Sequence, residues 1–133
     1  MALVIDLKPG EKILIGTAVI TNDQQRTKLQ IDGEAPILRE KDVIFEDEAN
    51  TPCKRLYFLV QCMYLSPNPR DYHQKYFEMV REIQSAAPSS ALFFMKIHEF
   101  IIQGAYYKAL REAKSLISHE EELLSHVGHK APA

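Results

Sequence analysis

The chain has 133 residues, of which 46% are hydrophobic, 26% charged and 9% aromatic, a composition that excludes a disordered tail and, by its length, a large multidomain enzyme. Its 16 Lys and Arg against 18 Asp and Glu give a formal net charge of -2, so no long-range field gathers nucleic acid or an anionic membrane onto it, and any RNA must be held at a local site. The opening MALVIDLKPG lacks the basic start of a signal peptide, and no segment approaches the roughly 18 apolar residues that cross a bilayer, so a cytoplasmic location and no membrane partner are expected.

Short β-branched runs cut by turn chemistry open the chain. Leu3 to Leu7 is followed by a Lys8-Pro9-Gly10-Glu11 turn and by Lys12 to Ile15; Thr17 to Thr21 then leads through Asn22-Asp23 to Arg26 to Ile31. In that last run Thr27, Leu29 and Ile31 alternate with Arg26, Lys28 and Gln30, the two-residue period of a half-buried strand. Asp32-Gly33 turns the chain again, and Ala35 to Leu38 predicts a final short strand before Arg39-Glu40-Lys41-Asp42. Beyond the acidic Glu46-Asp47-Glu48 the period becomes 3.6. Thr51-Pro52 supplies an N-cap hydroxyl and a first-turn proline, and the helix through Leu65 carries Leu56, Phe58, Leu59, Val60, Cys62 and Met63, apolar enough all round to be central. Pro67 and Pro69 separate it from a second helix with a Tyr72, Tyr76, Met79, Val80, Ile83 stripe. Pro88 begins a third with Leu92, Phe93, Ile97, Phe100 and Ile101, capped by Gly104. A fourth runs from Tyr106 through Leu124, and Val127 to Ala133 reads as a frayed tail. The fold class is therefore α+β: an antiparallel β-domain at 1–48, then a bundle of about four α-helices at 49–133.

Little of this suggests catalysis. There is no glycine-rich phosphate loop, GxSxG elbow, HExxH or CxxC, so no enzyme, cofactor or metal is expected. Cys53 and Cys62 lie nine residues apart on one helix, pointing apart, and read as free thiols. His119, His126 and His129 read as surface histidines, His98 as a surface or packing residue, and Glu120, Glu121 and Glu122 as a solvated face. Consecutive side chains at Glu46, Asp47 and Glu48 diverge too far for a two-metal nuclease site. The aromatic residues sit mainly at helical spacing, and the N-terminal strands have none, which disfavours base stacking on a sheet. What the β segment offers is a set of cations on strands and turns, offset by a similar number of acids.

MALVIDLKPGEKILIG, LREKDVI, EANTPCKRLYFLVQCMYL and GAYYKALREAKSLI, taken in that order across nearly the whole chain, resemble the FlbT family of bacterial regulators of flagellin synthesis. The resemblance implies a non-enzymatic protein that binds the 5′ untranslated region of flagellin messenger RNA and represses its translation or promotes its degradation, working alongside a small partner, FlaF. In some relatives the effect on flagellin is positive. More weakly, LVIDLKPGEKILIG and LREKDVI are similar to the first and last strands of CsrA-type RNA-binding regulators, which are strand-exchanged homodimers. This second resemblance puts Arg39 at the RNA-contacting end of the last strand and Lys8 at the exit of the first, with Lys41, Arg26 and Lys28 as phosphate contacts. An arginine fork can hold a phosphate or a guanine edge through two parallel bonds. About 45 residues of strand make a small monomer, so a homodimer through the β-domain is expected. The alternative function is a helical adaptor, chaperone-like, that holds flagellin or FlaF in an apolar groove.

Overall fold

A computed structural model of the chain describes residues 2–130. They form five strands followed by four helices, β1 (Ala2–Leu7), β2 (Lys12–Ile15), β3 (Ala18–Thr21), β4 (Thr27–Asp32), β5 (Ile37–Arg39), α1 (Pro52–Leu65), α2 (His73–Ala86), α3 (Ala91–Ile102) and α4 (Tyr106–Lys130). The chain divides into two compact units, Met1–Val43 and Ile44–Ala133. No helix among the described residues is long and apolar enough to cross a membrane.

In the first unit the strands make two antiparallel sheets, β1-β4 and β3-β2-β5. The alternation read from the sequence sets the inward face. Ile5 lies opposite Leu29 and Leu3 opposite Ile31, while Ile15 lies opposite Ile37. Ile5, Leu7 and Ile13 are buried at the centre, with Ile15, Leu29, Ile31 and Ile37 packed around them. The last strand begins at Ile37 rather than Ala35, because Pro36 has no N–H to give a ladder. Pro9 and Gly10 occupy the two central positions of the turn after β1, which Glu11 N–H closes onto the Lys8 carbonyl at 3.0 Å. Gly10 adopts φ 78° there, the left-handed conformation that a Pro-Gly turn requires and other residues resist.

In the second unit Thr51 caps α1, its hydroxyl oxygen accepting the Lys54 N–H at 3.2 Å, with Pro52 in the first turn. Leu56, Val60 and Met63 of α1 are fully buried, as are Tyr76 of α2, Phe94 and Ile97 of α3, and Leu110 and Leu116 of α4. The register of α3 differs from expectation. Phe94, Ile97 and Ile101 face inward, whereas Leu92 is 71% exposed. A segment apolar on nearly every side gives no clear stripe, and its orientation is set by its neighbours. α3 ends in a Schellman motif: Ala105 N–H bonds the Phe100 carbonyl at 2.8 Å and Gly104 N–H the Ile101 carbonyl at 3.0 Å, with Gly104 at φ 74°. α4 continues to Lys130 rather than fraying from Val127; residues 131–133 of the expected tail lie outside the described residues.

Candidate nucleic-acid interface

Three of the five predicted RNA-contacting residues converge on one acid. Asp6 sits near the end of β1 with Lys28 opposite it on β4. Arg26, just before β4, holds the Asp6 carboxylate through Nε and Nη2 at 2.9 to 3.1 Å. Arg39, at the end of β5, reaches across from the other sheet, its Nη2 donating to the Asp6 carbonyl at 2.8 Å and facing the Glu11 carboxylate at 3.4 Å. The hydrogen bond from Arg26, aided by the charges of Lys28 and Arg39, holds the Asp6 carboxyl below its usual range. Glu11 is lowered as well, first by the Lys8 backbone N–H and then by Arg39. These ions therefore alternate in sign.

The alternation decides what each cation can do. Arg26 is engaged edge-on by a carboxylate, which leaves less of its fork for a phosphate. Arg39 is divided: its side chain is 37% exposed, yet its Nε is buried with no hydrogen-bond partner among the described residues. Lys8, Lys28 and Lys41 keep exposed side chains, and none makes a side-chain hydrogen bond or ion pair among the described residues. Lys41 stands apart from the Asp6 cluster, in the short turn of helix Glu40–Asp42. The cations of this predicted set that make no side-chain hydrogen bond or ion pair among the described residues are thus the lysines, while Arg26 and Arg39 are anchored.

Sequence reasoning missed Asp6, Glu11 and Asn22 as organisers. The Asn22 amide donates to the carbonyls of Leu7, Lys8 and Gln25 at 2.8 to 3.0 Å, and its backbone bridges to Glu11 and Gly10. It fastens the Lys8 turn to the turn before β4. Only its turn-forming type was visible in the sequence, because its partners lie up to fifteen residues away.

The second unit holds a groove of about 770 Å³ bordered by the start of α1, by α2 and by α4. Cys53, Met79, Ile83, Leu116, Leu123 and Leu124 give it an apolar lining. Glu120, read as solvated, instead caps α1: its carboxylate accepts from the Thr51 hydroxyl and from the Cys53 N–H at 3.1 Å. Burial, reinforced by Glu120, pushes the Cys53 thiol up to about 12, so it is inert as a nucleophile at neutral pH. His98 is half-buried against Tyr76, with Nδ1 2.8 Å from the hydroxyl; burial lowers the imidazole and raises the phenol. His119 bonds Ser89 at 2.8 Å and lies against Phe93, and the side chain of His129 lies outside the described residues. No group of three metal-ligating side chains assembles among the described residues.

Residues 3–124 match the family model described as flagellar protein FlbT. The chain is 49% identical over 124 residues to "Probable flagellum biosynthesis repressor protein FlbT 1" of Bradyrhizobium diazoefficiens, covering 92% of this chain and 85% of that protein. It is 48% identical over 125 residues to a similarly named protein of Rhodopseudomonas palustris, covering 94% and 99%. Over 130 residues it is 32% identical to "Flagellum biosynthesis repressor protein FlbT" of Caulobacter vibrioides, covering 96% and 92%. No solved structure matches it.

Proposed function

The chain belongs to the FlbT family, and from that membership we propose that it is a non-enzymatic, cytoplasmic regulator of flagellar synthesis that binds the 5′ untranslated region of flagellin messenger RNA and lowers its translation or promotes its degradation. The observation that carries the reading is the repressor name borne by relatives that align along almost the whole chain. The β unit supplies chemistry suited to it: exposed lysines for phosphates beside an arginine held at the end of β5. With few free cations, affinity for the leader should fall only shallowly with salt. Dimerisation through the β unit fits the exposure of all four residues of β3, an uncharged edge strand without proline.

The test measures binding of a labelled flagellin leader at fixed salt. Arg39→Ala should weaken it by about 1–3 kcal/mol, with circular dichroism and amide spectra checking that loss of the bond to the Asp6 carbonyl has not loosened the unit. Replacing Lys8, Lys28 and Lys41 together by alanine should weaken binding to all leaders alike. Unchanged affinity in both variants removes the β unit from the interface. Cleavage of the leader by pure protein with magnesium would instead make the protein a nuclease.

A second reading is favoured by the groove beside α1: the helical unit is an adaptor that holds flagellin or a FlaF-like partner. Capture of either from ribonuclease-treated lysate supports it.

A further inference from the structure

Resting on the adaptor reading, we propose that the groove between α2 and α4 seats one amphipathic helix of a partner protein, whose apolar stripe is flanked by basic residues one turn apart. The groove's walls repeat at helical spacing. On α2 they are Lys75, Glu78, Met79, Glu82 and Ile83, and on α4 Leu116, His119, Leu123 and Leu124. Two such stripes facing each other across about 770 Å³ leave room for the anchors of a third helix, the arrangement by which apolar helix faces are recognised. The lining is not self-sufficient. Leu124 is 58% exposed and Leu123 37% exposed, adjacent apolar side chains on one wall that a partner's stripe would remove from water.

The rim specifies the partner's charge. Glu78 and Glu82 are exposed and one turn apart on the same face, a like-charge spacing that disfavours the helix carrying it. Glu78 has Lys75 and Arg81 within a turn, but the positions a turn from Glu82 are Glu78, Met79, Ser85 and Ala86. Among the described residues neither carboxylate makes an ion pair or hydrogen bond. The remaining rim carboxylate, Glu120, is already committed to Thr51 and Cys53. Arg55 also borders the groove from α1 and Lys75 from the first turn of α2, so the acidic part of the α2 side is the Glu78–Glu82 stretch. A cation on the partner opposite Glu82, with a second opposite Glu78, completes that side.

The experiment titrates the full chain with labelled synthetic helical peptides of about five turns that share one leucine stripe and differ only in its flanks: lysine, glutamine or glutamate. The lysine peptide should bind about fivefold tighter than the glutamate peptide. Glu78→Gln with Glu82→Gln should erase most of that preference, whereas Glu121→Gln with Glu122→Gln, outside the groove, should leave it. Leu124→Asp, at an exposed position that tolerates it, should abolish binding of all three. Equal binding of the three peptides overturns the basic partner and leaves the adaptor standing; no binding by any peptide overturns both. A dimer of the free protein that Leu124→Asp dissociates would show that a second copy covers the groove and would overturn the proposal too.

Discussion

The two units of the chain are held together by different forces. In Met1–Val43 the buried apolar residues are few, Ile5, Leu7, Ile13 and Leu38, and the strands are fastened instead by polar links: the Asn22 amide to three carbonyls, Arg26 to Asp6, Arg39 to the Asp6 carbonyl. In Ile44–Ala133 every α-helix sends fully buried side chains into a core, with polar groups in support: the Thr51 cap at the start of α1 and the buried Gln61, whose amide bonds both the N–H and the carbonyl of Ile44. The contrast teaches that charge means different things in the two places. In the β unit Arg26 and Arg39 hold the fold while remaining partly open to solvent, so in Arg39 a structural role coincides with the binding role proposed for it. In the helical unit the roles are divided among residues: Glu120 at the groove rim caps the start of α1, whereas the carboxylates of Glu78 and Glu82 make no ion pair or hydrogen bond among the described residues.

The contrast can be broken or sharpened by substitution. Phe94→Ala empties a fully buried site in α3 and should cost about 3–5 kcal/mol in chemical denaturation followed by tyrosine fluorescence, which reports the helical unit alone because residues 1–43 contain no aromatic residue. A loss below about 1 kcal/mol would deny that the unit rests on its core. Asn22→Ala removes the donor for three carbonyls and should cost the β unit about 1–3 kcal/mol, with faster amide exchange at Gly10 and Asn22. Thr51→Ala should cost about 1 kcal/mol. Glu120→Gln should be milder, since an amide oxygen still accepts the Cys53 N–H.

Acid offers the smallest and most graded test. Partial burial lowers the His98 imidazole, so the unfolded chain takes up its proton first. The stability this gives is present above the ordinary imidazole range and is lost as pH falls from that range toward the lowered folded value. Asp6 and Glu11 are lowered by their hydrogen bonds and neighbouring cations. Their contribution is present above the ordinary carboxylate range and disappears as pH falls further. Tyrosine fluorescence should therefore report weakening at milder acidity than the β-unit amide signals. Simultaneous loss in one acidic window would contradict the separation.

Elements fixed by neighbouring residues were legible in the sequence. Thr51-Pro52 announces the start of α1, Pro9-Gly10 the first turn and Gly104 the end of α3, because each acts within a few residues. Pairing was not legible. β1 joins β4 rather than the adjacent β2, and alternation gives a strand's inner face without naming its partner. The same limit hid the surroundings of Arg39: its candidacy came from a resemblance, but the carbonyl that anchors it lies 33 residues earlier. Glu120 looked solvated because acidic runs on terminal helices usually are, and its partner at Thr51 is 69 residues away.

That last distance has a consequence during synthesis. The ribosome delivers the chain from its N-terminus, so α1 leaves the exit tunnel long before Glu120 has been made. Until then the start of α1 has only its own Thr51 hydroxyl as cap, and its Cys53 N–H is left to water. The wall of the groove formed by Leu116, Leu123 and Leu124 is likewise still to be made. The groove thus arises only once α4 has been made, and nothing that needs it can bind before then.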